Sequence, residues 1–244
     1  MRTVAVVLAG GAGQRFGAGL PKQLQLLGGR SLVEHCVTAF DQAPGVDQLL
    51  VVAPAELTAE VHRQLGGYRK LADVIDGGVA RADSTQRAIA WLAGGAETAG
   101  QDQDQDCKVL FHDAARPLVD QRIIADCVAA LDDWDAAGVV VPSADTIVEV
   151  VGGAFRRILP RDSLARCQTP QAFRLSVIRH AYQLAVADPQ FTAEAATDDC
   201  GVVLRYLPDV PVGVVAGSER NIKITYTSDL AIAETLLGNG QPAG

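Results

Sequence analysis

Short β-branched apolar runs alternate with stretches of helical spacing along this chain, and that rhythm limits its fold more than any other feature. Thr3–Leu8 reads as a continuous apolar strand, and Ser31–Phe40 follows a Gly-rich loop with apolar residues at helical spacing. Gln48–Ala53 reads as a second strand, Glu56–Leu65 as a helix, and Asp73–Asp76 as a short strand. Asp83–Leu92 is a helix for which Asp83 is a suitable N-cap. Lys108–His112 and Gly138–Val141 are two more strands around the helix Asp120–Trp134. Helix Leu175–Ala187, strand Val212–Val215 and a helix over Asp229–Leu237 complete the series. Strands apolar on both faces and separated by helices belong to a mostly parallel sheet covered on both sides. The expectation is a Rossmann-like, doubly wound α/β fold: one domain over residues 1–237 and a flexible tail over 238–244.

Two stretches break the rhythm. Gly94–Asp106 is polar, ends in Gln-Asp repeats and reads as a solvated loop. In Asp145–Leu159, two strand-like runs flank Gly152-Gly153, which signals a β-hairpin. A hairpin has no obvious place in a parallel sheet. It is either an edge strand or a protruding arm that reaches a partner chain, with residues 145–169 as the arm and its following loop.

Composition removes several function classes. The chain has 21 basic and 29 acidic residues, a net charge of −8, which disfavours a general nucleic-acid binder dependent on counterion release. Its five cysteines (Cys36, Cys107, Cys127, Cys167 and Cys200) are scattered without a C-x-x-C pair, so neither a disulfide framework nor a zinc site is indicated. Val4–Leu8 is too short for a signal-peptide core, and no apolar stretch approaches the ~18 residues of a membrane span. The expected compartment is the cytoplasm.

The loop after the first strand is Ala9-Gly10-Gly11-Ala12-Gly13-Gln14-Arg15-Phe16-Gly17. Gly-rich turns at this place let phosphate oxygens approach backbone N–H groups. A dinucleotide fingerprint fails because Phe16 stands where a small residue is needed and no acidic residue ends the second strand. A P-loop fails because Lys22 lies between Pro21 and Gln23. Arg15 and Lys22 place two cations on one phosphate-sized loop, which suits a triphosphate.

The string Leu8-Ala9-Gly10-Gly11-x-Gly-x-Arg15…Pro21-Lys22-Gln23 resembles the start of sugar- and polyol-phosphate nucleotidyltransferases. Asp76-Gly77-Gly78…Arg81-Ala82-Asp83-Ser84, His112-Asp113-Ala114-Ala115-Arg116-Pro117 and Gln168-Thr169-Pro170-Gln171 narrow it, with Thr197-Asp198-Asp199 and Asn221-Ile222-Lys223-Ile224-Thr225. Together they resemble the 2-C-methyl-D-erythritol 4-phosphate cytidylyltransferase family and its close relatives acting on ribitol 5-phosphate. In such a reaction the attacking group is an already ionised phosphate. The enzyme needs no protein nucleophile; it must align two anions and stabilise charge on the α-phosphate.

The resemblance implies CTP as substrate, with Ala9, Gly10, Gly11, Ala12, Gly13, Gly77, Gly78, Ser84 and Ala114 around it. Arg15, Lys22 and Lys223 would stabilise the five-coordinate phosphorus, and Asp113 would hold Mg²⁺ or another divalent cation. Arg116, Thr146, Arg161 and Thr169 would receive the polyol phosphate. The hairpin would cross to a second subunit, which implies a homodimer. His112 is adjacent to Asp113 but faces the opposite way on a strand and reads as a packed histidine. Arg81 is equally a surface cation or a site residue, and Asp198 and Asp199 either approach the site or cap a helix.

Leu8-Ala9-Gly10-Gly11 and Cys200 look more like the ribitol branch, whereas Ala115 and Glu219-Arg220-Asn221 fit the methylerythritol branch. The expectation is the methylerythritol phosphate reaction, a step of the non-mevalonate isoprenoid precursor pathway, with ribitol 5-phosphate as the alternative acceptor. An NAD-dependent oxidoreductase and a non-enzymatic nucleotide sensor are the remaining readings.

Overall fold

Thr3–Leu8 is buried throughout, with Val4, Val6 and Leu8 in one apolar cluster and Ala5 and Val7 in a second. Alternate side chains leave a strand on opposite faces, so this run can only sit in the middle of a sheet covered on both sides. The computed structural model describes residues 1–10, 21–94, 106–193 and 196–238. Its strands are β1 (Thr3–Leu8), β2 (Leu26–Leu27), β3 (Arg30–Ser31), β4 (Gln48–Ala53), β5 (Leu71–Asp76) and β6 (Lys108–Asp113). β7 (Ala136–Pro142), β8 (Val148–Val151), β9 (Ala154–Ile158), β10 (Ala165–Arg174) and β11 (Val212–Ala216) follow. The α-helices are α1 (Leu32–Gln42), α2 (Thr58–Leu65), α3 (Arg81–Gly94), α4 (Gln121–Asp133), α5 (Leu175–Ala187), α6 (Asp199–Tyr206) and α7 (Ser228–Gly238).

Seven strands form the main sheet in the order β11-β7-β10-β6-β1-β4-β5. β1 pairs in parallel with β4 and β6, β4 with β5, and β7 with β11. Only β10 runs against its neighbours, antiparallel to both β6 and β7. Helices α1, α2 and α4 bury their apolar stripes on one face, and α3, α5 and α6 on the other. A smaller cluster of Leu27, Leu32, Ile224 and Ala233 seats α7. The doubly wound, mostly parallel α/β architecture is as expected.

Local chemistry fixes the helix starts. The Ser31 hydroxyl and the Asp120 carboxylate accept the N–H groups of Glu34 and Ile123, capping α1 and α4. Asp83 is not the cap of α3. The helix begins earlier, and Asp83 Oδ2 reaches back to the Ala80 N–H at 2.9 Å, the return half of a capping box. The last part of the segment drawn as arm and loop, from Ala165, belongs to β10 in the main sheet. Its buried polar side chains Gln168, Thr169 and Gln171 hide the strand in a reading of hydrophobic pattern.

The hairpin β8–β9 forms its own two-stranded sheet, so it is not an edge strand of the main one. Gly152 and Gly153 take φ of 61° and 81°, which a two-residue type I′ turn needs at both central positions. Phe155 is 74% exposed and Ile158 65%, although both are large and apolar. Residues 95–105 of the expected polar loop and 239–244 of the expected tail lie outside the described residues.

Replacing Asp120 by Ala removes the α4 cap and is expected to cost about 1 kcal/mol. Urea unfolding followed by circular dichroism checks this, with the native spectrum retained.

Candidate active site

The register of β1 against β6 places Leu8 beside Asp113, so the carboxyl ends of the central strands meet at one rim. Ligands of open α/β sheets bind at this rim. The backbone continues the pairing on each side: the Ala9 N–H donates to the Val52 carbonyl and the Ala114 N–H to the Leu8 carbonyl. A cavity of about 210 Å³ opens there, and Lys22, Arg81, Asp113 and Lys223 all line it. Ala9, Gly10, Ser84 and Ala114 contribute to the same wall. Lys22 opens a single 3-10 turn, Lys22–Leu24, directly after Pro21, whose fixed φ sets the approach. Gln23 and Leu24 are buried, and they anchor the lysine at the rim.

Asp113 is the centre of charge. Its Oδ1 accepts from Arg81 Nε at 3.1 Å and its Oδ2 from Lys223 Nζ at 2.8 Å. Burial alone would raise its pKa, but the Arg81 and then the Lys223 charges outweigh that and hold the carboxyl well below the usual carboxylate range. Arg81 also donates through Nη1 to Asp199 Oδ2 at 2.7 Å, and its Nη2 is buried without a hydrogen-bond partner among the described residues.

A buried polar scaffold stands behind the carboxylate. The Asp113 N–H donates to Thr169 Oγ1 at 3.1 Å, and that hydroxyl lies 3.0 Å from His112 Nδ1. His112 Nε2 is 3.0 Å from the Arg116 carbonyl, so the consistent tautomer carries its proton on Nε2 and accepts from Thr169 on Nδ1. Burial lowers the His112 pKa from 6.5 to about 4, which keeps the ring neutral near pH 7. Arg116 donates to the carbonyls of Asn221 and Cys167 at 2.8 and 3.3 Å. Asn221 Nδ2 donates to the Thr169 carbonyl at 2.9 Å, and the Ile224 N–H to the Ala115 carbonyl, which fixes the loop presenting Lys223.

The structure brings together Ala9, Gly10, Lys22, Ser84, Asp113, Ala114 and Lys223 among the expected site residues. Arg15, Gly11, Ala12 and Gly13 lie outside the described residues. Gly77 and Gly78 do not line the cavity; they let the start of α3 come close. A Cβ at Gly77 would meet Ser84 Oγ at 2.9 Å, and one at Gly78 would collide with Asp83. Thr169 and Arg116, expected to hold the acceptor, are buried and engaged in the scaffold. Thr146 and Arg161 are exposed at the base of the hairpin, away from the cavity lining, and Arg161 Nη1 donates to the Ala144 carbonyl at 3.5 Å. Arg81 and Asp199 are the residues that sequence reasoning left undecided. Both stand inside the quoted strings, but only the fold shows that they meet. Asp198 caps α6 by accepting from the Gly201 N–H at 2.6 Å, and its neighbour Asp199 points inward.

A sequence model of the 2-C-methyl-D-erythritol 4-phosphate cytidylyltransferases matches residues 3–239. The chain belongs to this family. A member from Thermobifida fusca is 48% identical, with 98% of this chain and 94% of that protein aligned. A Haemophilus influenzae bifunctional ribulose 5-phosphate reductase/CDP-ribitol pyrophosphorylase is 36% identical over 96% of this chain and 48% of that protein. Among solved structures, the 2-C-methyl-D-erythritol 4-phosphate cytidylyltransferase of Thermus thermophilus has a TM-score of 0.71 at 29% identity, covering 96% of this chain and 98% of its own. The 4-diphosphocytidyl-2C-methyl-D-erythritol synthase of Anaerococcus prevotii has a TM-score of 0.80 at 24% identity, covering 97% and 98%. Membership makes the chain a nucleotidyltransferase, and the oxidoreductase and sensor readings fall away.

The neutral His112 has a stability consequence. The unfolded chain protonates this residue near 6.5 and the folded one only near 4, so the unfolded state binds more protons between these values. Stability is therefore complete above about 6.5 and falls as the pH drops towards about 4. Across that window the wild type is expected to lose roughly 3 kcal/mol more than His112→Gln in urea titrations.

Proposed function

We propose that the protein transfers the CMP unit of CTP to 2-C-methyl-D-erythritol 4-phosphate and releases pyrophosphate, a step in isoprenoid precursor synthesis. The observation that carries this reading is the presence of Lys22, Arg81, Asp113 and Lys223 on the lining of one cavity at the rim of the sheet. Such a group of cations suits a reaction in which two phosphates must meet, because the nucleophile is already charged and the barrier lies in repulsion and alignment. Lys223 is half-exposed and free to exchange its carboxylate partner for a phosphate oxygen. Lys22, on the lining of the same cavity, would be a second cation for the α-phosphate; Arg15, expected from the sequence to be a third, lies outside the described residues. Gly10, exposed on the cavity wall and without a side chain, offers its backbone to the triphosphate. His112 takes no proton from the substrates in this scheme; it holds Thr169 and the Arg116 carbonyl in place.

A divalent cation fits the donor set. Mg²⁺ is commonly held by one or two carboxylates together with substrate phosphates, and Asp113 supplies one ionised carboxylate whose oxygens each hold a single cation partner. When bound, the ion would neutralise triphosphate charge at Asp113. Among the described residues no group of three or more His, Cys, Asp or Glu could hold a metal without such phosphate ligands.

The hairpin supports a homodimer reading. Phe155, Ile158, Val150 and Val151 are large apolar side chains on an exposed two-stranded arm, and a second copy of the chain would cover them. Thr146 and Arg161 at its base would then serve the acceptor phosphate in the partner's cavity. No described helix is long and apolar enough to cross a membrane. The five cysteines are free thiols, which supports a cytoplasmic placement.

Pyrophosphate release from CTP and Mg²⁺ tests the reaction, with methylerythritol phosphate expected to be the best acceptor. Preference for ribitol 5-phosphate would move the chain to the other acceptor, and no release with any polyol phosphate would defeat the reading. Lys22→Ala is expected to lose 10²–10³ in turnover with saturating substrates while remaining folded. For the arm, sedimentation equilibrium should give a dimer for the wild type and a monomer for a Phe155→Glu/Ile158→Glu double variant. An unaltered dimer would remove the arm from the interface.

A further inference from the structure

Asp199 takes no part in the cavity lining, yet it is the fully buried carboxylate next in line behind it. Its Oδ2 accepts from Arg81 Nη1 at 2.7 Å and its Oδ1 from the Tyr182 hydroxyl at 2.7 Å. Its own N–H donates to Gln171 Oε1 at 2.8 Å, which orders the first turn of α6. Arg81 then turns its Nε to Asp113. The chain of contacts runs from α5 through Asp199 and Arg81 to the rim of the sheet. Taking a carboxylate out of water is costly unless it is paired, and Arg81 together with the Tyr182 hydroxyl supplies that pairing for Asp199.

The charges explain its presence. Within the directly ion-paired set, Asp113 and Asp199 carry two negative charges against two positive ones on Arg81 and Lys223, so these four groups sum to zero, with Lys22 and Arg116 as further cations nearby. When Lys223 turns to a substrate phosphate, Arg81, Asp113 and Asp199 are left with one net negative charge. Without the Asp199 charge the remaining pair would be neutral, and Arg81 would be released from its far anchor towards the triphosphate. We propose that Asp199 is a positioning residue whose buried carboxylate anchors Arg81 and so leaves Asp113 with net negative charge for the divalent cation that accompanies the nucleotide. Asp199 thereby selects metal-bound over metal-free CTP. Tyr182 orients the carboxylate without changing its charge.

This inference rests on the CTP chemistry proposed above, and binding measurements separate the two. Calorimetric titration of the intact protein with CTP, in chelator and in Mg²⁺, gives the gain in affinity that the metal provides. Asp199→Asn keeps the shape, since the amide oxygen can still accept from Arg81 and the Tyr182 hydroxyl can accept from the amide nitrogen. It is expected to bind metal-free CTP about ten-fold tighter and to lose about ten-fold of the Mg²⁺ gain, as expected for one charge removed near the site. Arg81→Gln shifts the charge the other way and is expected to weaken metal-free binding and enlarge the Mg²⁺ gain. A Mg²⁺ gain within two-fold of wild type in Asp199→Asn overturns the inference. Should that variant fail to fold, an unchanged or smaller gain in Arg81→Gln overturns it instead. If the wild type binds CTP in neither condition, the proposed function fails first and this inference with it.

Discussion

The carboxylate of Asp113 is held by two cations that come from opposite directions along the chain, Arg81 at the start of α3 and Lys223 in the loop after β11. Nearly everything else around the rim exists to make that meeting possible. The β1–β6 register sets the height of Asp113, and the close approach at Gly77 and Gly78 lets the first turn of α3 reach it. The buried amides of Gln168 and Asn221 tie the Lys223 loop to β10. A hydrogen bond to a charged group contributes roughly 1.5–3 kcal/mol, more than a neutral one, so these few contacts weigh heavily against the apolar packing around them.

The antiparallel β10 is what makes the scaffold polar. It is wedged between β6 and β7, and its side chains Gln168, Thr169 and Gln171 are buried beneath the site. Each has partners: Thr169 the Asp113 N–H, Gln168 the Ser218 carbonyl, and Gln171 the first N–H groups of α6. Satisfied networks of this kind define one geometry where an apolar core would tolerate several. Asp113 therefore stands on a rigid floor, while Lys223 above it remains half-exposed.

The parallel strands were legible because both their faces are apolar, as in Thr3–Leu8 and Gln48–Ala53, and the helix Leu175–Ala187 because its stripe is long and regular. β10 was not, since its buried residues are polar and their partners lie far away in sequence. The site was legible in part. Lys22, Asp113 and Lys223 stand in short strings whose chemistry can be argued residue by residue, and the cavity unites them. Arg81 could not be distinguished from a solvated cation without knowing that Asp113 and Asp199 flank it. Thr169 and Arg116 stand in equally short strings, but their buried bonds to the Asp113 N–H and the Asn221 carbonyl join partners too far apart in sequence to be read from those strings.

The contacts of Asp113 and Arg81 are separated by 32, 110 and 118 positions in sequence. No fragment that stops short of Asp199 can anchor Arg81, and none that stops short of Lys223 can close the ring around Asp113. During synthesis the rim of the sheet stays unfinished until the segments carrying Asp199 and Lys223 have left the ribosome. A truncated product would keep much of the layered core yet carry an inert mouth.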